Sequence, residues 1–213
     1  MLAGVVAVAV YSPILALRTI EVGGTSRVSA DEVHAALSDQ LGTPLALVDY
    51  EEVTEALGAF PLIRSFVTEA VPPNTLRVQI VEREPVGAVH ADGVYQLVDP
   101  AGIVVLKSAE PVAGMPVIEL AGEDTSSSRF ETIVEVLLAM PQELLAQVDS
   151  ITATTRDNVS LVLTGVGQRV SWGSAEDSER KAEVLGALIA ITDPGREGEF
   201  DVSAPGNGIF SPG

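Results

Sequence analysis

The chain has 213 residues, 12 basic side chains against 30 acidic ones for a net charge of −18, and no cysteine. That length suits one large domain or two small ones, and the missing cysteines exclude a disulfide framework and thiolate metal sites. So strong a negative charge is repelled by phosphate backbones and by anionic lipid headgroups, which argues against a nucleic-acid partner.

The first ten residues, MLAGVVAVAV, are wholly apolar. A membrane span needs about 20 such residues, so this is about half of one. No basic segment precedes it and no small-residue cleavage site follows, so a signal peptide fits poorly. A buried first strand is one reading. The preferred one is the end of a transmembrane helix, residues 1–13, with the rest of the chain outside the cytoplasm.

From Leu17 the order of elements is legible. Thr19 to Val22 reads as a short strand stopped by Gly23-Gly24. Ser29 with Glu32 forms a capping box, and Val33, Leu37 and Leu41 recur as one helix face. Gly42-Thr-Pro44 breaks that helix. Asp49 with Glu52 caps a second helix, which turns Val53 and Leu57 inward and ends at Gly58. Ile63 to Val71 is a strand, Pro72-Pro73-Asn74 a turn, and Leu76 to Val81 the returning strand, with Leu76, Val78 and Ile80 on one side and Arg77 and Gln79 on the other. The charged Glu82-Arg83-Glu84 ends the run at Pro85.

The second half reads as short strands at Val86 to His90, Tyr95 to Val98 and Ile103 to Lys107, joined by turns at Ala91-Asp-Gly93 and Asp99-Pro-Ala-Gly102. Ser128 with Glu131 is expected to cap a helix whose Phe130, Ile133, Val134, Leu137 and Leu138 form one face. Ser150 to Thr155 and Val159 to Thr164 flank a hairpin turn at Arg156-Asp-Asn158. Gly165-Val-Gly167 turns the chain into Gln168 to Trp172. A helix from Ala175 to Ile191 presents Val184, Leu185, Leu188 and Ile189, and Glu199 to Ser203 is expected to be the final strand. The expected class is α+β: a β-α-α-β-β module, then an antiparallel β-sheet with two packed helices. Almost no spacer separates the two halves near Glu84-Pro85.

Candidate chemistry is sparse. His34 lies on the polar side of its helix and His90 ends a strand, and neither has a second histidine at metal-ligand spacing. Ser178-Glu-Arg-Lys181 matches the Ser-x-x-Lys of penicillin-binding enzymes, but no Ser-x-Asn or Lys-Thr-Gly follows. Gly165-Val-Gly167 lacks a third glycine and a following helix, so it reads as a hairpin turn. No calcium loop is found, and Trp172 is expected in the core. These observations point to a binding protein with no cofactor and no metal.

The β-α-α-β-β order is that of a POTRA module, and the wording goes further. "FPLIRSFVTEAVPPNTLRVQIVEREPVGAV" resembles the FtsQ/DivIB family of bacterial cell-division proteins, through Pro73, Asn74, Thr75 and Leu76 and the exit Glu82, Arg83, Pro85 and Val86. "IEVGG" (Ile20 to Gly24), "YQLVDPAGIVV" (Tyr95 to Val105), "GMPVIEL" (Gly114 to Leu120), "RVSWGSAEDSERKAEVLGALI" and "EFDVSAPG" are similar to further segments of that family, in the family's order. Three departures are Gly24, where asparagine is more usual, Met115, where leucine is usual, and Trp172, which replaces a leucine.

The resemblance implies a truncated, single-pass membrane protein at the division septum. Its parts would be residues 1–13 of a transmembrane helix, a POTRA domain at 14–84 and an FtsQ-type β domain at 85–213. It implies a non-enzymatic divisome assembly factor that supports septal cell-wall synthesis, with FtsB/DivIC-like and FtsL-like partners. A strand at the end of a sheet leaves unpaired backbone groups that accept an incoming strand. Glu199, Phe200, Asp201, Val202 and Ser203 are therefore expected to form that edge. An outward Lys181 on the last helix is expected to meet an acidic partner. The alternative is a POTRA-containing polypeptide-transport or secretion component, although no run of long alternating strands for a membrane barrel follows.

Overall fold

The computed structural model describes residues 14–204 and 206–213. It divides into two compact units between Arg83 and Glu84. The expected membrane segment at residues 1–13 lies outside the described residues. Among those described, no helix is long and apolar enough to cross a membrane.

Unit 1 follows the β-α-α-β-β order: β1 (Thr19–Gly23), α1 (Ala30–Ala36), α2 (Tyr50–Gly58), β2 (Ile63–Val71) and β3 (Thr75–Glu82), with short 3-10 turns at Ser38–Gln40 and Leu45–Leu47. The sheet order is β1-β3-β2. β1 runs parallel to β3, with Thr19 opposite Thr75, and β2 and β3 form an antiparallel hairpin. The alternation of β3 decides which face is covered. Leu76, Val78 and Ile80 are buried under the helices with Val33, Leu37, Val53 and Leu57, each such side chain contributing about 1.5–3 kcal/mol. Arg77 stays on the open face, where it pairs with Glu21 on β1 and Glu69 on β2, both at 3.0 Å. Gly24 ends β1 at φ 78°, where a Cβ would strike the Ile80 carbonyl oxygen, so only glycine fits.

The caps of this unit form where the sequence predicts them. The Ser29 hydroxyl accepts from the Glu32 N–H, and the Asp49 carboxylate accepts from the N–H groups of Glu51 and Glu52. The first helix is shorter than its periodicity suggests. It stops at Ala36, a 3-10 turn follows, and Leu41 is left exposed because the tighter turn rotates it off the apolar face.

Unit 2 contains β4 (Gly87–Ala91), β5 (Val94–Val98), β6 (Val104–Ser108), β7 (Val117–Glu119), α3 (Ser128–Leu138), α4 (Gln142–Leu145), β8 (Val148–Thr155), β9 (Asn158–Leu163), β10 (Arg169–Gly173), α5 (Ser178–Ile191), β11 (Gly198–Asp201) and β12 (Ile209–Pro212). All nine strands lie in one sheet, ordered β12-β11-β10-β9-β8-β7-β4-β5-β6. The architecture is α+β as expected, and the predicted hairpins β4–β5, β5–β6, β8–β9 and β9–β10 are antiparallel. The joins between them are parallel: β4 with β7, β7 with β8, and β10 with β11. Helices α3 and α4 carry the chain from β7 to β8, and α5 carries it from β10 to β11. Such crossovers bring a strand back in the same direction.

The core of unit 2 lies between the sheet and α3 and α5. Trp172, Phe130, Phe200, Ile133, Ile151, Val159 and Leu185 are buried there. Helix α3 is capped by Ser127, whose hydroxyl accepts from Phe130 N–H, rather than by Ser128 as expected. Val136 is buried and Leu138 is 62% exposed, correcting the predicted face by two positions. After Leu137 the inward position falls on Met140, since one residue rotates the helix by about 100°.

Glu82 ties the exit of β3 back to the start of unit 1. Its carboxylate accepts the successive backbone N–H groups of Ser26 (2.7 Å), Arg27 (2.9 Å) and Val28 (2.8 Å), and also Arg27 Nε (3.2 Å). Arg27 Nη2 further donates to the Arg83 carbonyl. Burial alone would raise the Glu82 pKa. The hydrogen bonds from Ser26, Val28 and Arg27 outweigh it and hold the pKa at about 2. Because the folded-state pKa is depressed, the stability it contributes is present above the unfolded value and is lost as pH falls through about 2. Glu82→Gln is therefore expected to destabilise unit 1 by about 1–2 kcal/mol at neutral pH, allowing for solvent at the rim. Thermal unfolding as a function of pH checks this: the gap between parent and variant should close on acidification, and a gap independent of pH would contradict it.

Candidate partner-binding surface

The last strands of unit 2 alternate strictly. Val159, Leu161, Val170, Trp172, Phe200 and Val202 point into the core, while Ser160, Arg169, Ser171, Glu199 and Asp201 lie on the opposite face. Glu199 to Ser203 is neither the final strand nor an edge. β11 ends at Asp201 and is flanked on both sides, by β10 in parallel and by β12 antiparallel, with Phe200 opposite Phe210. The Val202 N–H donates inward to Ser171 O at 3.0 Å. Ser203 donates its N–H (3.0 Å) and hydroxyl (2.7 Å) to the Asp201 carboxylate, closing a turn and holding that carboxyl below its ordinary value. Glu199 is exposed and accepts from Ser171 Oγ at 2.5 Å. Phe200 and Val202 are core residues.

β12 is the strand that sequence reasoning missed. Only Ile209 and Phe210 are apolar in it, and Gly206-Asn-Gly208 before it reads as a loop. The available signal was that Gly-rich turn followed by Ile-Phe, at hairpin distance from Glu199. Its seat is well fitted. The Phe210 ring lies 4.8 Å from that of Phe200, with the Arg196 guanidinium 5.8 Å from its centre. Gly198 and Gly208 leave the room this needs. A Cβ on Gly198 would collide with the Ser211 carbonyl and the Phe210 ring, and one on Gly208 with Val184 and Leu188.

The sheet edge on this side is thus the outer side of β12, and its polarity follows from one bond. Gly213 N–H donates to Glu197 O at 3.1 Å. With Ser211 opposite Glu199 and Ile209 opposite Asp201, these residues all direct their backbone groups toward β11. Phe210 and Pro212 direct theirs outward. Phe210 offers an N–H and a carbonyl, whereas Pro212 offers a carbonyl alone.

Lys181 does not face solvent, contrary to expectation. It is 1% exposed, and its Nζ donates to Ser174 O at 2.8 Å. Burial pushes the ammonium pKa down, opposed by the nearby carboxylates of Asp177 and Glu176. The buried face of early α5 is Ser178, Lys181, Ala182 and Leu185, the i, i+3, i+4, i+7 series of a helix. A lysine within that series is the signal that could have placed it. Ser178 is equally committed: it accepts from Trp172 Nε1 at 3.1 Å and donates to Ala175 O at 2.7 Å. Together these bonds pin the turn before α5, where Asp177 takes a left-handed φ of 54°. Neither side chain is arranged as a nucleophile and base. His34 and His90 are exposed, the His90 ring lying 4.9 Å from that of Tyr95 and tilted 53° to it. No group of three or more potential metal ligands occurs among the described residues.

Residues 15–83 match the family described as POTRA domain, FtsQ-type. Proteins named cell division protein FtsQ are similar over nearly the whole chain. That of Mycobacterium leprae is 34% identical over 194 residues, covering 91% of this chain and 55% of the relative. That of Mycobacteroides abscessus is 33% identical, covering 92% and 61%. That of Streptomyces collinus is 32% identical over 203 residues, covering 90% of this chain and 76% of the relative. The chain thus spans little more than half the length of the Mycobacterium leprae protein. The solved extracytoplasmic domain of DivIB from Geobacillus stearothermophilus aligns with 53% of this chain and 98% of its own, at 18% identity and a TM-score of 0.38, and adds nothing to the assignment.

Three substitutions probe this geometry by thermal unfolding. Val202→Pro removes the donor to Ser171 O and is expected to cost unit 2 about 2–4 kcal/mol; a normal melting temperature would mean that Val202 is not in the ladder. Lys181→Glu places a carboxylate against the Ser174 carbonyl and near Asp177, for a loss of about 3–5 kcal/mol. Lys181→Met keeps the volume and should cost far less, whereas equal losses would refute the assigned contact.

Proposed function

The chain belongs to the FtsQ family of cell-division proteins, and on that premise we propose that it is a non-enzymatic, membrane-anchored assembly factor of the divisome. Residues 1–13 are the end of its transmembrane helix, 14–84 its POTRA domain and 85–213 its β domain, the last two lying outside the cytoplasm at the septum. There it binds FtsB/DivIC-like and FtsL-like proteins and supports septal cell-wall synthesis. The matched relatives are cell-division proteins, which favours this reading over a polypeptide-transport component. A non-catalytic role is supported by the structural hydrogen bonds that occupy Ser178 and Lys181.

The proposed mechanism is strand addition, and the observation that carries it is the outward polarity of β12. The incoming strand pairs with Phe210, whose N–H and carbonyl point away from β11. Glu199, Phe200, Asp201, Val202 and Ser203 act beneath it as the scaffold that holds β12 in register. Lys181 acts one step further back, by fixing the turn that leads into α5. Pro212 ends the ladder after one full rung, because it has no donor.

Restoring that donor tests the reading without damaging the fold. Pro212→Val should tighten binding of the extracytoplasmic segment of the FtsB/DivIC-like partner by about 2–10-fold, the worth of one net hydrogen bond, with the melting temperature nearly unchanged. N-methylation of Phe210, introduced through a synthetic C-terminal peptide, blocks the outward donor while keeping the ring, and should weaken binding by a similar factor or more. If calorimetry finds both variants folded and binding like the parent, the partner docks elsewhere.

A further inference from the structure

An apolar cavity of about 250 Å³ opens at one end of unit 1, lined by Leu15, Leu45, Ala46, Ala70, Pro72 and Pro73. None of these residues carries a charge, in a chain whose net charge is −18. Ile14 and Leu47 beside it are 67% and 48% exposed, and Ala70, Pro72 and Pro73 at the hairpin tip are also exposed.

The topology says which end this is. Because β1 and β3 run parallel from Thr19 and Thr75, the start of β1 and the β2–β3 hairpin tip share one end of the sheet. Residues 15–17 bond along residues 42–45 at that same end, through Leu17 N to Thr43 O and Leu45 N to Leu15 O, both 2.8 Å. The exit of β3 at Glu82 lies eight residues away, about 25 Å along the strand. The cavity therefore sits where the chain enters the unit and not where it leaves.

What enters is the apolar run Met1 to Val10, followed by Tyr11-Ser12-Pro13. Tyrosine is enriched at membrane–water interfaces, at headgroup level. Ile14 follows Tyr11 by three residues, at most about 11 Å of extended chain. A chain tethered so closely brings the cavity end of unit 1 to the bilayer before any other part of that unit.

We propose that the hairpin-tip end of unit 1 rests in the lipid interface, with the apolar part of a phospholipid covering the cavity between Leu15, Leu45 and Pro73. This rests on the reading of residues 1–13 as the end of a membrane span. The contact is local and apolar; the acidic remainder of the chain opposes general adsorption, so it depends on the tether. Its consequence is orientation: the unit stands with the Glu82 exit directed away from the membrane.

The absence of cysteine allows single-site labelling of the full chain, reconstituted in phosphatidylcholine vesicles. Val6→Cys, Leu47→Cys, Pro73→Cys and Pro61→Cys each carry an environment-sensitive fluorophore, read with and without a quencher attached to the lipid. Pro61 lies at the opposite end, where its carbonyl accepts from Arg83 Nε. The expected result is lipid quenching at positions 6, 47 and 73 and none at 61. Quenching at Val6 alone overturns the proposal and leaves the membrane anchor standing. No quenching at Val6 overturns the anchor and the proposal with it. Shielding of positions 47 and 73 that is the same in detergent means the chain's own first residues fill the cavity, and shielding that rises with protein concentration means a second copy does; either overturns it.

Discussion

A residue in a β-strand turns its N–H and its carbonyl to the same side, and the next residue turns them to the other. That alternation governs the far end of unit 2. Val202 gives its N–H to Ser171, and the groups of Glu199 and Asp201 go to β12. Nothing on β11 is then left for another chain. The same count, carried one strand further, leaves Phe210 and Pro212 facing out. The free edge of the sheet is thus displaced by one strand from the place where the order of predicted strands put it. Its capacity is set by a single proline.

One charged side chain in each unit holds a turn, and the two do so in opposite ways. Glu82 collects three successive backbone N–H groups and an arginine, so its charge is the favoured state and its pKa falls. Lys181 has one carbonyl acceptor, and burial outweighs the support of the Asp177 and Glu176 carboxylates, so its environment works against its charge. The first closes unit 1 by joining the end of β3 to the loop after β1. The second braces the turn between β10 and α5, and through α5 it positions β11 and β12.

Unit 1 separates its two ends by the direction of its strands. A parallel β1–β3 pair places the entering chain and the hairpin tip together and sends the exit to the far end. The entry end holds an apolar cavity, and the exit end carries Glu82 and Arg83.

Much of this protein is determined by its sequence alone. Period-two alternation in Leu76, Val78 and Ile80 identifies a half-covered strand, and Ser29 and Asp49 mark helix starts, because these signals are local and each arises within a few residues. The family is legible for the same reason, in Pro73-Asn-Thr-Leu76 and Glu82-Arg-Glu-Pro-Val86. Tertiary structure decided what local signals cannot hold. Whether Lys181 faces water depends on the carbonyl of Ser174 and on the sheet beneath α5. Whether β11 is an edge depends on Ile209 and Phe210, a pair too short to read as a strand until Phe200, Gly198 and Gly208 provide its seat. The parallel joins of the nine-stranded sheet depend on where α3 and α5 return the chain. A pattern repeats within one element, but a neighbour is set by the path of the whole chain, and exposure follows from neighbours.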